Sequence, residues 1–553
     1  MRTPLVLGLL LIAACSRQVA VEEPGPALRT SAPASGPASP GVTASADAPR
    51  APAPVPESAA AEHTASAAAG IDWRHSDVDA AFAEARVAHK PVFLYWGATW
   101  CPPCNQVKAT IFNRQDFIER SRAFVAVYID GDSPNAQQLG ARFKVSGYPS
   151  MLLFRPDGTE LTRLPGEVEG QRYMEVLTLG INGGRPVRET LQQALEGGRG
   201  LTEADWRMLA FYSWETDEQQ LVTKEHLVPT LARLVKACPA RYGDTSERLA
   251  LESIRAGATA KNPRTSPEAY RTLVAVLGDP VEARRNFDIL TDSVGATVRY
   301  TSAANSSERT ELVRAWDAML ERTSDDTSLS QTDRLGALAS RVELARLQIP
   351  KGALDAALVD EVRQQVARAD HETSNAYERQ SVINAAAQTL ADAGLMDESD
   401  ALLKAELSRS HAPYYFMVDL ASNARTRGDK ATALDWLARA YAAAEGPATR
   451  LQWGVLYVRG LIELAPEDEA RIEQVSEAVL NELGGNPDLL YERNRASLAR
   501  LGRVLDQWDH NHQHAAARAQ IAARLVPVCE AATADAGLRA RCEHFFDEHG
   551  KAM

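Results

Sequence analysis

Hydrophobic positions in this chain change their spacing along its length, and the changes divide it into regions. Over 72–195, short unbroken apolar runs alternate with stretches spaced by three and four, the signature of an α/β domain. Ser76 is placed as N-cap of a first helix carrying Ala80, Ala81, Phe82, Ala85 and Val87. After Lys90-Pro91, the run Val92-Phe93-Leu94-Tyr95-Trp96 suits a strand buried on both faces. Val107, Ile111, Phe112, Phe117 and Ile118 mark a helix with a break near Asn113. Phe124–Ile129 is the next strand, stopped by Asp130-Gly131-Asp132, and Ala136, Leu139 and Phe143 mark the helix after it. Met151–Phe154 is a third strand, and Asp157-Gly158 turns the chain into a fourth at Leu161–Leu164. Gly170–Leu179 closes the domain as a helix.

Beyond Gly200 the strand patterns fade, and helical segments of roughly 12 to 20 residues follow to the end of the chain. Pro263, Pro280, Pro350, Gly394, Gly428 and Pro447 punctuate them. Helical pairs stacked as a solenoid are the simplest arrangement for 200–553, although 200 to about 340 also suits a separate bundle. Gly394 and Gly428 lie 34 residues apart, each opening a helix after a short turn. The second unit continues through Ala433, Leu434, Leu437 and Ala440, and this resembles the second helix of a tetratricopeptide repeat. Ser399 and Glu406 stand where the second unit has Ala433 and Ala440, so a tetratricopeptide-like region around 375–445 contains one degenerate unit.

A length of 553 residues predicts several domains, and 45% apolar with 24% charged residues is ordinary globular material. A net charge of -13 with no long basic run excludes nucleic acid as a partner of the chain as a whole. The first 15 residues carry Arg2 and an apolar stretch, Leu5–Ala14, too short to span a bilayer. It ends Ile12-Ala13-Ala14-Cys15, which resembles the bacterial lipoprotein signal, with a plain secretory signal as the alternative. The lipoprotein resemblance implies that Cys15 is lipidated and that, with Ser16 next, the protein is anchored in the outer membrane facing the periplasm. A plain signal implies a soluble periplasmic protein. Residues 16–71 are rich in Pro, Ala and Ser and form a tether with too little apolar surface for a core. No later segment has the length and hydrophobicity of a transmembrane helix.

Six cysteines separate into roles. Cys529 and Cys542 suit a structural disulfide in an oxidising compartment, or two buried thiols, and Cys238 sits in an apolar helical pattern suited to packing. Cys101-Pro102-Pro103-Cys104 follows a strand and opens a helix. A sulfur at a helix start is favoured as thiolate, and a second thiol one turn on is placed to attack the same sulfur in a mixed disulfide. Cys101 is therefore the expected nucleophile and Cys104 the resolving thiol. Pro102 and Pro103 stiffen the first turn, where no intrahelical bond is lost.

The order strand, Trp100-Cys101-Pro102-Pro103-Cys104, helix, strand with Asp130, helix, Gly147-Tyr148-Pro149, strand, turn, strand resembles the thioredoxin superfamily. Lys90-Pro91-Val92, Phe112 and Val127-Tyr128-Ile129-Asp130 make it most similar to the branch related to the C-terminal domain of DsbD. The resemblance implies a thioredoxin-like fold for 72–195, and the all-α region read from its helical spacing follows it. It implies further that Pro149 is a cis-proline beside the sulfurs, and that Tyr148 and Trp100 help position a substrate chain. Tyr95 stands where many thioredoxins have a buried aspartate, and Asn105 where a lysine is common.

No second CxxC completes a four-thiolate metal site. His510, His512 and His514, with Asp506 and Asp509, read as a solvated turn in preference to a zinc site, because only His510 and His514 share a helical face. Two functions remain open. One is a membrane-tethered periplasmic thiol–disulfide oxidoreductase, a reductase or relay, acting on protein cysteines without a cofactor and with a separate thiol electron donor or acceptor. The other is an envelope scaffold lipoprotein whose helical array binds a protein partner, with the CxxC secondary.

Overall fold

The computed structural model describes residues 70–531 and Cys542, apart from 76, 146, 167–168, 183, 218–219, 262, 264, 351, 485 and 487–489. The leader with Cys15, and nearly all of the tether over 16–71, lie outside the described residues. The first domain runs β1 Trp73–His75, α1 Val78–Ala88, β2 Val92–Gly97, α2 Pro102–Val107, α3 Gln115–Ser121, β3 Val125–Asp130, α4 Ala136–Phe143, β4 Ser150–Phe154, β5 Glu160–Leu164 and α5 Gly170–Ile181. The sheet order is β1-β3-β2-β4-β5, with β2 parallel to β3 and antiparallel to β4. β2 is buried at all of its positions, as an unbroken apolar strand in the middle of a covered sheet must be.

Two details differ from the sequence reading. The cap of α1 is Asp77, whose carboxylate accepts the Ala80 N–H at 3.0 Å, while Ser76 lies outside the described residues. β1, paired with the edge of β3, is a strand of three residues, too short to show an alternating pattern. The break expected near Asn113 is present: α2 widens into a π-helical turn, Lys108–Phe112, before α3 begins.

Alternation along β2 sends Phe93 and Tyr95 to one face and Val92, Leu94 and Trp96 to the other. The first face packs on Phe112, Phe117 and Tyr173, and its core continues without a gap into Leu191, Trp206, Leu231 and Leu249 of the next helices. The second face packs on α1 and α4, and its core takes in Tyr414, Tyr415 and Trp453 from far along the chain. Between these two contacts, Gln106 donates to Asp333 at 2.8 Å and Arg284 pairs with Glu169 at 3.3 Å. The all-α region thus leaves the domain on one face of the sheet and returns to it on the other.

Within that region, Ala376–Asp392 pairs with Met396–Glu406, and Pro413–Thr426 with Lys430–Ala443. Gly394 and Gly428 lie in the two turns with φ of +88° and +78°, the left-handed region that a helix C-terminus requires of glycine. Cys238 is buried, and burial pushes its thiol up to about 11. Cys529 and Cys542 are joined as a disulfide, with Cα atoms 5.4 Å apart. His514 stacks on Trp508 and bonds Glu469, whereas His510 bonds the Gln507 carbonyl, so these histidines take separate partners. Among the described residues no helix is long and apolar enough to cross a membrane.

Candidate active site

β2 ends at Gly97, and Ala98-Thr99-Trp100 carries the chain to α2. Cys101 is the N-cap of that helix, in extended backbone, and its Sγ accepts the Cys104 N–H at 3.3 Å. The Cys101 thiol also donates to the Tyr148 carbonyl at 3.6 Å, and the Tyr148–Pro149 peptide is cis. Cys101, Cys104, Tyr148 and Pro149 are therefore gathered at one point, with Pro102 buried and Pro103 partly buried in the first turn. Both sulfurs are thiols. Such a pair can exchange with a disulfide: one sulfur sits at a helix start, and the second lies within the next turn.

Two residues beneath the pair limit its acid–base chemistry. The Tyr95 hydroxyl faces the Cys104 carbonyl at 3.5 Å. Burial, then the neighbouring Cys104, Tyr128 and Cys101, pushes this phenol well above its ordinary range. It stays neutral at physiological pH and cannot accept a proton from Cys104. Asn105 is fully buried and donates to the Thr99 carbonyl at 2.9 Å, which ties the turn before Cys101 to the helix after it.

The site is closed. Cys101 and Cys104 are both 0% exposed, and the cover comes from residues more than 300 positions away in sequence. Trp100 stacks on Tyr415 with centroids 6.0 Å apart and meets the edge of Trp453 at 4.8 Å. The Arg493 guanidinium lies 4.7 Å from the Tyr148 ring centroid and 5.3 Å from that of Trp100. His411 Nε2 lies 2.9 Å from the Thr99 carbonyl, and the Arg493 N–H donates to Gln137 at 3.2 Å. Trp100 Nε1 donates to the Thr449 hydroxyl at 2.7 Å, and that hydroxyl donates to Asp132. The residues expected to hold a substrate chain, Trp100 and Tyr148, hold the chain's own helices.

Asp132 is the centre of this seam. Its Oδ1 accepts the Thr449 N–H at 2.9 Å, inside the first turn of helix Pro447–Leu464. That helix begins at Gly446, which has no side chain to cap it, and a Cβ there would collide with Asp132. Asp132 thus supplies from the first domain the cap that a helix start lacks. Burial raises its pKa from 3.8 to about 6 against the opposing bonds from Thr449, with Asp130 adding to the rise. The closed protein therefore binds this proton more tightly than the unfolded chain does. The stability it contributes is complete below pH 3.8 and is lost as pH rises through about 6. Asp132 keeps some exposure, so about 1–2 kcal/mol is expected instead of the roughly 3 that the full shift implies. Asp132→Asn keeps an acceptor for Thr449 with no charge to desolvate. Its melting temperature relative to wild type should rise between about pH 5 and pH 7.5; a pH-independent difference would remove Asp132 from the energetics of the seam.

Sequence reasoning placed Asp132 only as a strand stop, and it did not reach His411, Tyr414, Tyr415, Thr449, Trp453 or Arg493. The one local signal was the helix start Gly446-Pro447, which carries no capping side chain of its own.

Comparison with known proteins defines the class. Residues 78–180 match the family described as thioredoxin-like domain. The thiol:disulfide interchange protein DsbD 1 of Pseudomonas aeruginosa is 32% identical over 114 residues, 19% of this chain and 19% of that protein. DsbD of Pseudomonas fluorescens is 30% identical over 104 residues, 18% of each. The chain thus matches about a fifth of the length of these curated relatives. A solved structure titled DsbH oxidoreductase is 22% identical and covers 21% of this chain and 88% of its own, with a TM-score of 0.19. This chain carries a thioredoxin-like redox domain with weak similarity to the DsbD proteins and a proximal cysteine pair, followed by a long all-α region.

Proposed function

We propose that this chain works in the bacterial envelope as an interaction protein, with the helical array carrying the binding and the thioredoxin-like domain holding its dithiol in reserve. The observation behind this reading is the complete burial of Cys101 and Cys104 beneath the array. A disulfide substrate must bring a sulfur in line with the attacking thiolate, and Tyr415 and Trp453 pack beside that position. The paired helices around 375–445 support a tetratricopeptide-like surface for a protein partner. The leader supports attachment through lipidated Cys15 at the outer membrane, facing the periplasm, with a soluble periplasmic protein as the alternative.

The cysteine geometry and the DsbD similarity favour a second reading, a periplasmic thiol–disulfide oxidoreductase, either a reductase or an electron relay. There the Cys101 thiolate attacks a protein disulfide, forming a mixed disulfide and releasing one substrate thiolate. Cys104 then attacks Cys101 Sγ and releases the second. The substrate gains two electrons, the pair becomes a disulfide, and a separate thiol donor must reduce it again. Pro149, Tyr148 and Trp100 would position the substrate chain, and Pro102 and Pro103 would hold the sulfurs.

Expression of Cys104→Ser in the native host separates the two. Discrete mixed disulfides through Cys101, absent in the Cys101→Ser/Cys104→Ser double variant, would establish exchange as the main activity. No adducts, with partner capture by the double variant unchanged, is the outcome expected of the interaction reading.

A further inference from the structure

The exchange geometry under the cover is complete. Cys101 caps its helix, Cys104 donates to it, and the Tyr148 carbonyl stands beside it. Beside the pair lie Tyr414, Tyr415 and Trp453 from one stretch of the array, and Arg493 beyond it lies over the Trp100 and Tyr148 rings. Tyr414, Tyr415 and Trp453 share an apolar cluster with both cysteines and are 3%, 8% and 2% exposed. The seam around them is fastened by directional bonds: Trp100 to Thr449, Thr449 to Asp132, His411 to Thr99, and Arg493 to Gln137. Helix Pro447–Leu464 has its N-terminus completed only while seated on Asp132, since Gly446 supplies nothing.

We propose that 411–453, together with Arg493, is an autoinhibitory cover that blocks the Cys101–Cys104 dithiol and must lift before the dithiol can react. The inference rests on the reading that the dithiol is capable of exchange. Lifting breaks the bonds that converge on Thr449 and uncovers the apolar contacts of Tyr414, Tyr415 and Trp453. The Thr449 hydroxyl bonds both Trp100 and Asp132, so its removal weakens the seam with little change in side-chain volume. Arg493 covers the same rings from the other side and bonds Gln452 at 2.8 Å within the array.

The test is alkylation of the reduced, full-length protein by N-ethylmaleimide, followed peptide by peptide with mass spectrometry. Cys238, buried in another core, is an internal gauge of general unfolding. In the native wild-type protein, Cys101 should label at least tenfold more slowly than in guanidinium. Thr449→Val and Arg493→Leu should each raise the native Cys101 rate three- to tenfold and leave Cys238 unchanged. Labelling of native wild-type Cys101 at the denatured rate would overturn the cover. So would variants that leave the Cys101 rate unchanged, or that accelerate Cys238 equally. Alkylation requires no exchange, so failure here is distinct from failure of the Cys104→Ser trapping experiment.

Discussion

Replacing Trp100 by alanine should destabilise the folded protein by about 3–5 kcal/mol, the range for deleting a buried indole. Trp100 is 1% exposed, stacks on Tyr415 and meets Tyr148 and Trp453 edge to face, with the Arg493 guanidinium over its ring. Its N–H is the first link of the chain through Thr449 to Asp132. The alanine variant loses the dispersion contacts, the cation–π contact and the hydrogen bond together, and the surrounding rings belong to two separate parts of the chain. Collapse of the cavity therefore requires one part to move against the other, which places the cost toward the upper end. Trp100→Phe restores much of the apolar contact but not the bond, and should recover about half of the loss. Urea unfolding of the full chain checks this: a change below about 1 kcal/mol for Trp100→Ala would mean that the seam carries little of the stability.

The order of these effects explains what the sequence made legible. The run from Val92 to Trp96, the stop at Asp130-Gly131-Asp132 and the turn at Asp157-Gly158 are local signals, and the strands stand there. Cys101-Pro102-Pro103-Cys104 declares its chemistry because thiol exchange needs only two sulfurs one helical turn apart. The cover has no local signature. Tyr414, Thr449 and Trp453 occupy ordinary core or first-turn positions of their helices, and what they touch is decided by the path of the array round the domain. The Trp100–Thr449 bond joins residues 349 positions apart, and neither neighbourhood hints at the other. Trp100, expected to help position a substrate chain, is core for the same reason.

The degenerate repeat unit carries the other large effect: Glu406→Ala should cost about 3 kcal/mol, because it removes one of the two carboxylates that answer a buried guanidinium. Glu406 stands where the next unit has the small, buried Ala440, an exchange that sequence alone reads as a fault in the repeat. The structure supplies its partner. Arg379 and Glu406 are each 3% exposed, with Arg379 Nε donating to Glu406 at 2.9 Å and Nη2 at 2.7 Å. The same guanidinium donates to the Thr373 carbonyl at 2.7 Å and the Asp370 carbonyl at 2.8 Å, at the end of helix Ala356–Glu372. It therefore binds three consecutive helices where small residues would let two approach. Removal of Glu406 leaves the buried guanidinium with the half-exposed Asp370 carboxylate, 2.6 Å from Nη2, to answer its charge. Arg379→Met leaves the opposite charge and the two carbonyls without this donor. The double variant Arg379→Met/Glu406→Leu removes both charges, and its cost should fall at least 1 kcal/mol short of the sum of the singles. Urea titration of the three variants measures the coupling; strict additivity would show that the two side chains do not act as a pair.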